Sequence, residues 1–208
     1  GDKAFQLANM VLDVAEKFNC RRGYTSGAAV AQIHHTSKPR VWAVPNHPHL
    51  IEEIRGYRNT ILMSDLEGRG GQGTITGLNG LMLGAAKKRG IEAICLMGEI
   101  PYYLQGAPWP YPKAAQSVLE VLTRNLALKV DFRRLDGLSR KVEGNIEQFL
   151  QRLYEIEQIP AQIKDEIEKL KHAPTADLGP ITDEEQKRIM EHLDDLFDEK
   201  GGKDDRAV

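Results

Sequence analysis

The sequence predicts an α/β fold in three layers, a mostly parallel sheet with helices on its faces, carrying a helical extension at the C-terminal end. Three observations carry that prediction. Residues 73–132 alternate extended, apolar runs with helical ones, in the order strand, helix, strand, helix, strand, and that alternation is the mark of parallel strands joined by helical crossovers. After Leu138 the pattern changes to apolar residues three and four apart without further strand signals. The 208 residues are 41% apolar and 28% charged, which supports one good-sized core and excludes a disordered chain.

The first element is a helix. Phe5, Ala8, Leu12 and Ala15, flanked by Met10, Val11, Val14 and Phe18, make a wide apolar stripe at helical spacing. Arg22 and Gly23 end it, and Tyr24 to Ile33 reads as an irregular extended stretch. Val41-Trp42-Ala43-Val44 is a continuous apolar run suited to a buried strand. Pro48 opens a short helix to about Arg55, and Ile61-Leu62-Met63 is a further strand candidate. Gly73 to Thr76 reads as extended, Leu78 to Arg89 as a helix, and Gly90 as its left-handed cap. Ile91 to Met97 follows as a buried strand, and a loop runs from Gly98 to Tyr111. Pro112 suits a first helical position, with Ala115, Val118, Leu119 and Leu122 facing inward. Val130 to Phe132 reads as the closing strand.

Three regions follow from this: an α/β core over 1–137, a helical extension over 138–172, and a linker, acidic helix and disordered tail over 173–208. In the extension, Val142, Ile146, Phe149, Leu153 and Ile156 recur at four and three residues along one helix, close to a heptad rhythm, so residues 139–171 are expected to mediate self-association. Pro160 interrupts it, and Ile163, Ile167 and Leu170 mark a second helix. Pro174, Gly179 and Pro180 break the chain. Thr182 and Glu185 then form a capping box for a last helix with Ile189, Leu193, Leu196 and Phe197 on one side, read as a detachable arm.

Charge is uneven. Residues 173–208 hold 11 acids and 5 bases, net −6, against 19 acids and 23 bases in the rest, net +4. The total of −2 gives no overall pull toward nucleic acid. No run approaches eighteen apolar residues, so no membrane partner is expected. Cys20 and Cys95 stand far apart without a CxxC spacing, which points to a reducing, cytoplasmic setting.

Several motifs invite a chemical reading. Gly68-Arg69-Gly70-Gly71-Gln72-Gly73 fits G-x-G-x-x-G, but Thr74-Ile75-Thr76 intervenes before any helix, so a surface turn is the better reading. Thr76, Gly77, Asn79 and Gly80 stand where an extended run hands over to a helix, a place whose free N–H groups favour an anion. Gly77, Gly80 and Gly84 share a helix face and also suit close packing. Glu99 follows directly on a buried strand, where ligands of open α/β sheets gather, and is a weak candidate acid or base. The loop behind it holds Tyr102, Tyr103, Trp109 and Tyr111, four of thirteen aromatic residues. With Phe149 and Leu153 of the extension, Tyr102, Tyr103 and Trp109 form the candidate interaction surface. His34, His35, His47 and His49 crowd beside Glu52 and Glu53, yet without zinc spacings, so no metal and no cofactor is expected.

The run from Gly73 through Asn79-Gly80 and Ile94-Cys95-Leu96-Met97-Gly98-Glu99 resembles the core of the proteasome assembly chaperone 2 family, whose archaeal and bacterial members are often labelled ATP-grasp superfamily. The likeness continues through Pro112-Lys113-Ala114-Ala115 and Val118-Leu119 and covers roughly residues 4 to 157. It implies an α/β/α sandwich similar to the nucleoside phosphorylase fold and a homo-oligomer, such as a trimer, with a proteasome-like or other protein partner. Family members usually carry a strand and a glycine-rich turn before the first helix, so an N-terminal part is expected to be missing here. The ending Asp204-Asp205-Arg206-Ala207-Val208 lacks the hydrophobic-tyrosine-any-residue tail by which some relatives dock on proteasome rings. The function expected is therefore a non-enzymatic, homo-oligomeric interaction protein. The alternative is a small-molecule or nucleotide-binding enzyme, ATP-grasp-labelled or phosphorylase-like, with its site at the strand carboxyl ends.

Overall fold

The computed structural model describes residues 2–66, 75, 77–155 and 161–172. Four strands, β1 (Arg22–Ala31), β2 (Val41–Pro45), β3 (Thr60–Leu62) and β4 (Glu92–Pro101), form one sheet in the order β1-β4-β2-β3. β1 and β4 are parallel over their full length, from Arg22 opposite Glu92 to Ala31 opposite Pro101. β2 and β3 are also parallel, while β2 runs antiparallel to β4. The predicted three-layer α/β class with a mostly parallel sheet is what the chain forms.

Helices α1 (Asp2–Lys17) and α4 (Gly77–Lys88) cover one face, packing Leu12, Leu83, Ala85 and Ala86 on Ala29, Trp42, Cys95 and Met97. α2 (Leu50–Arg55) and α5 (Pro112–Asn125) cover the other, with Leu50, Ile54, Val118 and Val121 on Val41, Ala43, Ile94 and Leu96. α3 (Met63–Leu66) is a single turn after β3. β4 is buried at eight of its ten positions, because it is an inner strand with helices above and below. A side chain at Gly98 would run into the Ala114 backbone carbonyl at 2.6 Å, so this glycine is what lets α5 lie directly on the sheet.

Two local expectations are corrected. Tyr24 to Ile33, read as irregular, is mostly the strand β1, made regular by its ten-residue pairing with β4. Val130 to Phe132, read as a strand, joins no sheet; Leu128 and Val130 are exposed, and Asp131 accepts the Arg133 backbone N–H at 3.0 Å, turning the chain into α6 (Arg133–Glu155). Of the extended run 73–76 only Ile75 is described, and it lies outside the strands. The glycine-rich turn 68–73, Thr76, Ile156 and the acidic helix with its linker lie outside the described residues. Among the described residues no helix is long and apolar enough to cross a membrane, and both cysteines are free thiols.

Candidate functional site

Among the described residues the most buried acid is Glu99, near the carboxyl end of β4, fully excluded from solvent. Its Oε1 accepts from Trp42 Nε1 at 2.8 Å and Arg40 Nε at 2.9 Å, with Arg40 Nη2 at 2.7 Å; its Oε2 accepts the Arg40 backbone N–H at 2.8 Å. Every one of these donors comes from the start of β2 or the residue before it. The carboxylate thus ties β2 to β4, and its charge is balanced by a guanidinium.

At the start of α4 the backbone turns through Gly77 at φ +69°, a conformation side chains rarely adopt. Asn79 reaches across to β1, donating from Nδ2 to the Ser26 carbonyl at 3.1 Å. A Cβ on Gly80 would run into the Ile75 carbonyl, whereas nothing stands within 4 Å of one on Gly77 or Gly84. Close packing therefore involves Gly80 alone of the three. Asn79 is anchored to β1 and Glu99 to β2, on opposite sides of β4, so the sequence-selected groups do not face one another across a common site.

Behind β4, Tyr102 and Tyr103 form one turn of 3₁₀-helix and are 5% and 4% exposed. They pack with Val142, Ile146 and Leu150 of α6 and with Ile167 and Leu170 of α7 (Ala161–His172). Trp109 meets Phe149 edge to face, with ring centroids 4.9 Å apart, and Leu153 is buried. The predicted surface stripe of α6 is thus spent inside the chain, since the aromatic loop supplies the apolar partner that the stripe needs.

A polar knot joins the same elements. His35 Nδ1 lies 2.9 Å from the Tyr103 hydroxyl, which also accepts the His35 backbone N–H at 2.8 Å; Nε2 lies 2.8 Å from Glu147 Oε2 on α6. A neutral ring accepting from Tyr103 at Nδ1 and donating to Glu147 from Nε2 satisfies all three groups. Tyr111 and Lys113 donate to the His35 carbonyl, and Lys113 pairs with Glu143. Burial and the neighbouring His35 push His34 down to about 4. Burial also lowers His35, against the opposing pull of Glu147, and raises Tyr103 and Tyr111 far above their usual range. These shifts keep the groups neutral. His47 and His49 stand apart from this knot: His49 pairs with Glu92 at 2.6 Å at the start of β4. Among the described residues no three His, Cys, Asp or Glu side chains converge to hold a metal.

Two surfaces were not singled out by the motifs. A cavity of about 720 Å³ opens where α5 leaves the face of β1 uncovered. Tyr24, Ser26 and Ala28 form its floor, and Leu119, Leu122 and Trp109 its walls. The second surface lies across the sheet. On α1, Ala8 and Leu12 are buried, but Leu7, Met10, Val11, Val14 and Phe18 are 47–72% exposed, and Leu78 and Leu81 of α4 are exposed as well. The 7-11-14-18 spacing that reveals this second stripe was present in the sequence, merged there into one wide stripe.

The structure is similar to that of PbaB of Pyrococcus furiosus, described as an archaeal proteasome activator: 30% identity, TM-score 0.59, 70% of this chain and 57% of that one. It shares its fold with P. furiosus PbaA, described as an archaeal homologue of proteasome-assembly chaperone, at 21% identity and TM-score 0.55 over 75% of this chain and 64% of that one. An uncharacterised protein of Methanocaldococcus jannaschii is 26% identical over 155 residues, 74% of this chain and 53% of its own. The chain thus spans between half and two thirds of the length of these proteins. The PAC2 family model matches residues 2–150, from α1 through the sheet and into α6, and this chain belongs to the PAC2 family.

Proposed function

We propose that this chain is a non-enzymatic, self-associating interaction module of the proteasome-assembly-chaperone kind, working on a protein partner such as proteasome subunits. One observation carries the reading: α1 is apolar on two sides, and among the described residues only one of them is packed against the rest of the chain. Leu7, Val11, Val14 and Phe18, with Met10 beside them, recur at helix-packing intervals on the free side and continue into Leu78 and Leu81. A continuous apolar face of this kind is ordinarily covered by another protein surface. PbaA, an archaeal homologue of proteasome-assembly chaperone, and PbaB, an archaeal proteasome activator, supply the class of partner. The polar groups support the same reading, because Glu99 and the His35 knot are spent on holding strands and helices together.

Sedimentation velocity of the parent and of Val14→Asp tests the self-association. The parent is expected to sediment as an oligomer and the variant as a smaller species with unchanged circular dichroism. A parent that stays monomeric at tens of micromolar defeats the reading of this face. Native gels of proteasome α-subunits mixed with the parent test the partner, with a new or accelerated ring band as the expected result. Calorimetry with phosphate, ATP and AMP is expected to give no heat at millimolar ligand; saturable heat would favour a nucleotide-binding enzyme instead.

A further inference from the structure

We infer that the stacked pair His34 and His35 is an acid-released latch. It holds α7 and residues 142–150 of α6 on the Tyr102–Tyr103 turn while both rings are neutral, and lets them go when the rings take up protons. The inference concerns buried groups inside the chain and does not depend on the self-association of α1.

What the latch holds is a separate unit of packing. The cluster that joins Tyr102 and Tyr103 to the apolar residues of α6 and α7 shares no residue with the two clusters on the faces of the sheet. Such a unit opens at a lower cost than the whole chain, with the sheet still closed. The first turns of α6 are held elsewhere, by Gln116 of α5, whose amide donates to Asp136 at 2.7 Å.

The two rings sit at the joint. His34 is 3% and His35 1% exposed, with ring centroids 4.1 Å apart. His35 spans the joint from the Tyr103 hydroxyl on one side to Glu147 of α6 on the other. That hydroxyl already accepts the His35 backbone N–H, so its own proton goes to Nδ1. A proton on Nδ1 removes this acceptor and sets two donors against each other. The His34 ring has Thr36 Oγ1 at 2.7 Å from its Nδ1, and a charge on either histidine faces the other.

The surrounding charges do not reverse this. Burial is the largest influence on both rings and opposes charge; Lys113 of α5 opposes it on both, and Lys171 of α7 on His34. Glu147 favours charge on both rings and Glu143 on His35, but the Glu147 side chain is 57% exposed, so water weakens its pull. Once α7 and the facing half of α6 move away, the rings meet water and regain an ordinary value near 6.5. The open form then binds protons that the closed form does not, and acid favours opening. For His34, held at about 4 while closed, the opening constant rises about tenfold between pH 7.5 and 5.5. His35 adds to that rise.

Hydrogen–deuterium exchange of the full chain tests the latch, read by mass spectrometry at pH 7.5, 6.5 and 5.5 and corrected for the intrinsic rate at each pH. Peptides from 142–155 and 161–172 are expected to lose protection at least tenfold from pH 7.5 to 5.5, and to be less protected than β2 and β4 throughout. A flat profile, as from helix ends fraying without exposing the rings, overturns the latch. Protection equal to that of β4 at pH 5.5 also overturns it, since the chain then opens only as a whole. His34→Gln is expected to make the loss about tenfold smaller, and His34→Gln with His35→Gln to abolish it. If the double variant loses its circular dichroism, His34→Gln alone decides, and an unchanged pH profile in it overturns the inference. Val14→Asp is expected to keep the parent profile, so failure of the α1 contact and failure of the latch are read separately.

Discussion

At the scale of single residues, the polar groups of this chain act as fasteners. Glu99 accepts four contacts from two residues, so removing its carboxylate leaves the buried Trp42 N–H without this acceptor and takes the carboxylate away from the Arg40 guanidinium. Glu99→Ala is expected to cost about 3–5 kcal/mol in urea unfolding, the range for breaking a buried pair by removing one partner. Glu99→Gln, which keeps an acceptor oxygen, is expected to lose less; equal stability of Glu99→Ala and the parent would show that the carboxylate holds nothing. His34 gives a pH dependence. Its pKa is lowered to about 4 in the folded chain against an ordinary value near 6.5, so the unfolded chain takes up the proton first. Stability is therefore complete above about pH 6.5 and is lost as pH falls toward 4. His35, Glu147, Lys113 and Lys171 act on the same ring, and the neutral variant His34→Gln is expected to flatten the fall in urea midpoint between pH 7 and 4.5. A parent curve flat over that window would contradict the burial.

At the scale of elements, each helix is defined by which of its sides is spent. α6 spends its stripe on Tyr102, Tyr103 and α7, with Ile146 1% exposed in the middle of the cluster. Ile146→Ala is expected to cost about 2–5 kcal/mol, the range for emptying a buried aliphatic site, and to leave the oligomer unchanged. A change in subunit number at unchanged stability would return α6 to the interface. α5 depends on one small residue of the strand beneath it. Gly98→Ala pushes a methyl group into the Ala114 carbonyl, so its thermal midpoint is expected to fall by several degrees, through overpacking that costs about 1–3 kcal/mol. An unchanged midpoint would mean that α5 slides on the sheet without cost.

At the scale of the whole molecule, the proposed self-association contact is apolar and lies on the outward side of α1. Such contacts do not depend on charge attraction. Self-association through α1 is therefore expected to persist between 0.1 and about 1 M salt, where exposed ion pairs are screened; dissociation at high salt would point to a charged interface.

The helices α1, α2, α4, α5, α6 and α7 and the strands β2 and β4 were legible in the sequence because each is a local pattern: apolar residues at three and four, a continuous apolar run, a proline at one end or a glycine at the other. The sheet was less legible. Gly23 to Ala31 has too many small residues to look like a strand, and becomes one because β4 lies beside it for ten residues, a pairing between segments seventy residues apart. Val130 to Phe132 has strand-forming residues and no neighbour to pair with. The candidate sites divide in the same way. Sequence singled out Glu99, Asn79 and the aromatic loop as chemically unusual, since residue type and local position show that much. Only the tertiary structure decided that Glu99 is saturated by Arg40 and Trp42 and that Tyr102 and Tyr103 face inward. It also decided that one apolar side of α1 stays exposed among the described residues. Burial is a property of what lies across the core, and no periodicity along the chain can record it.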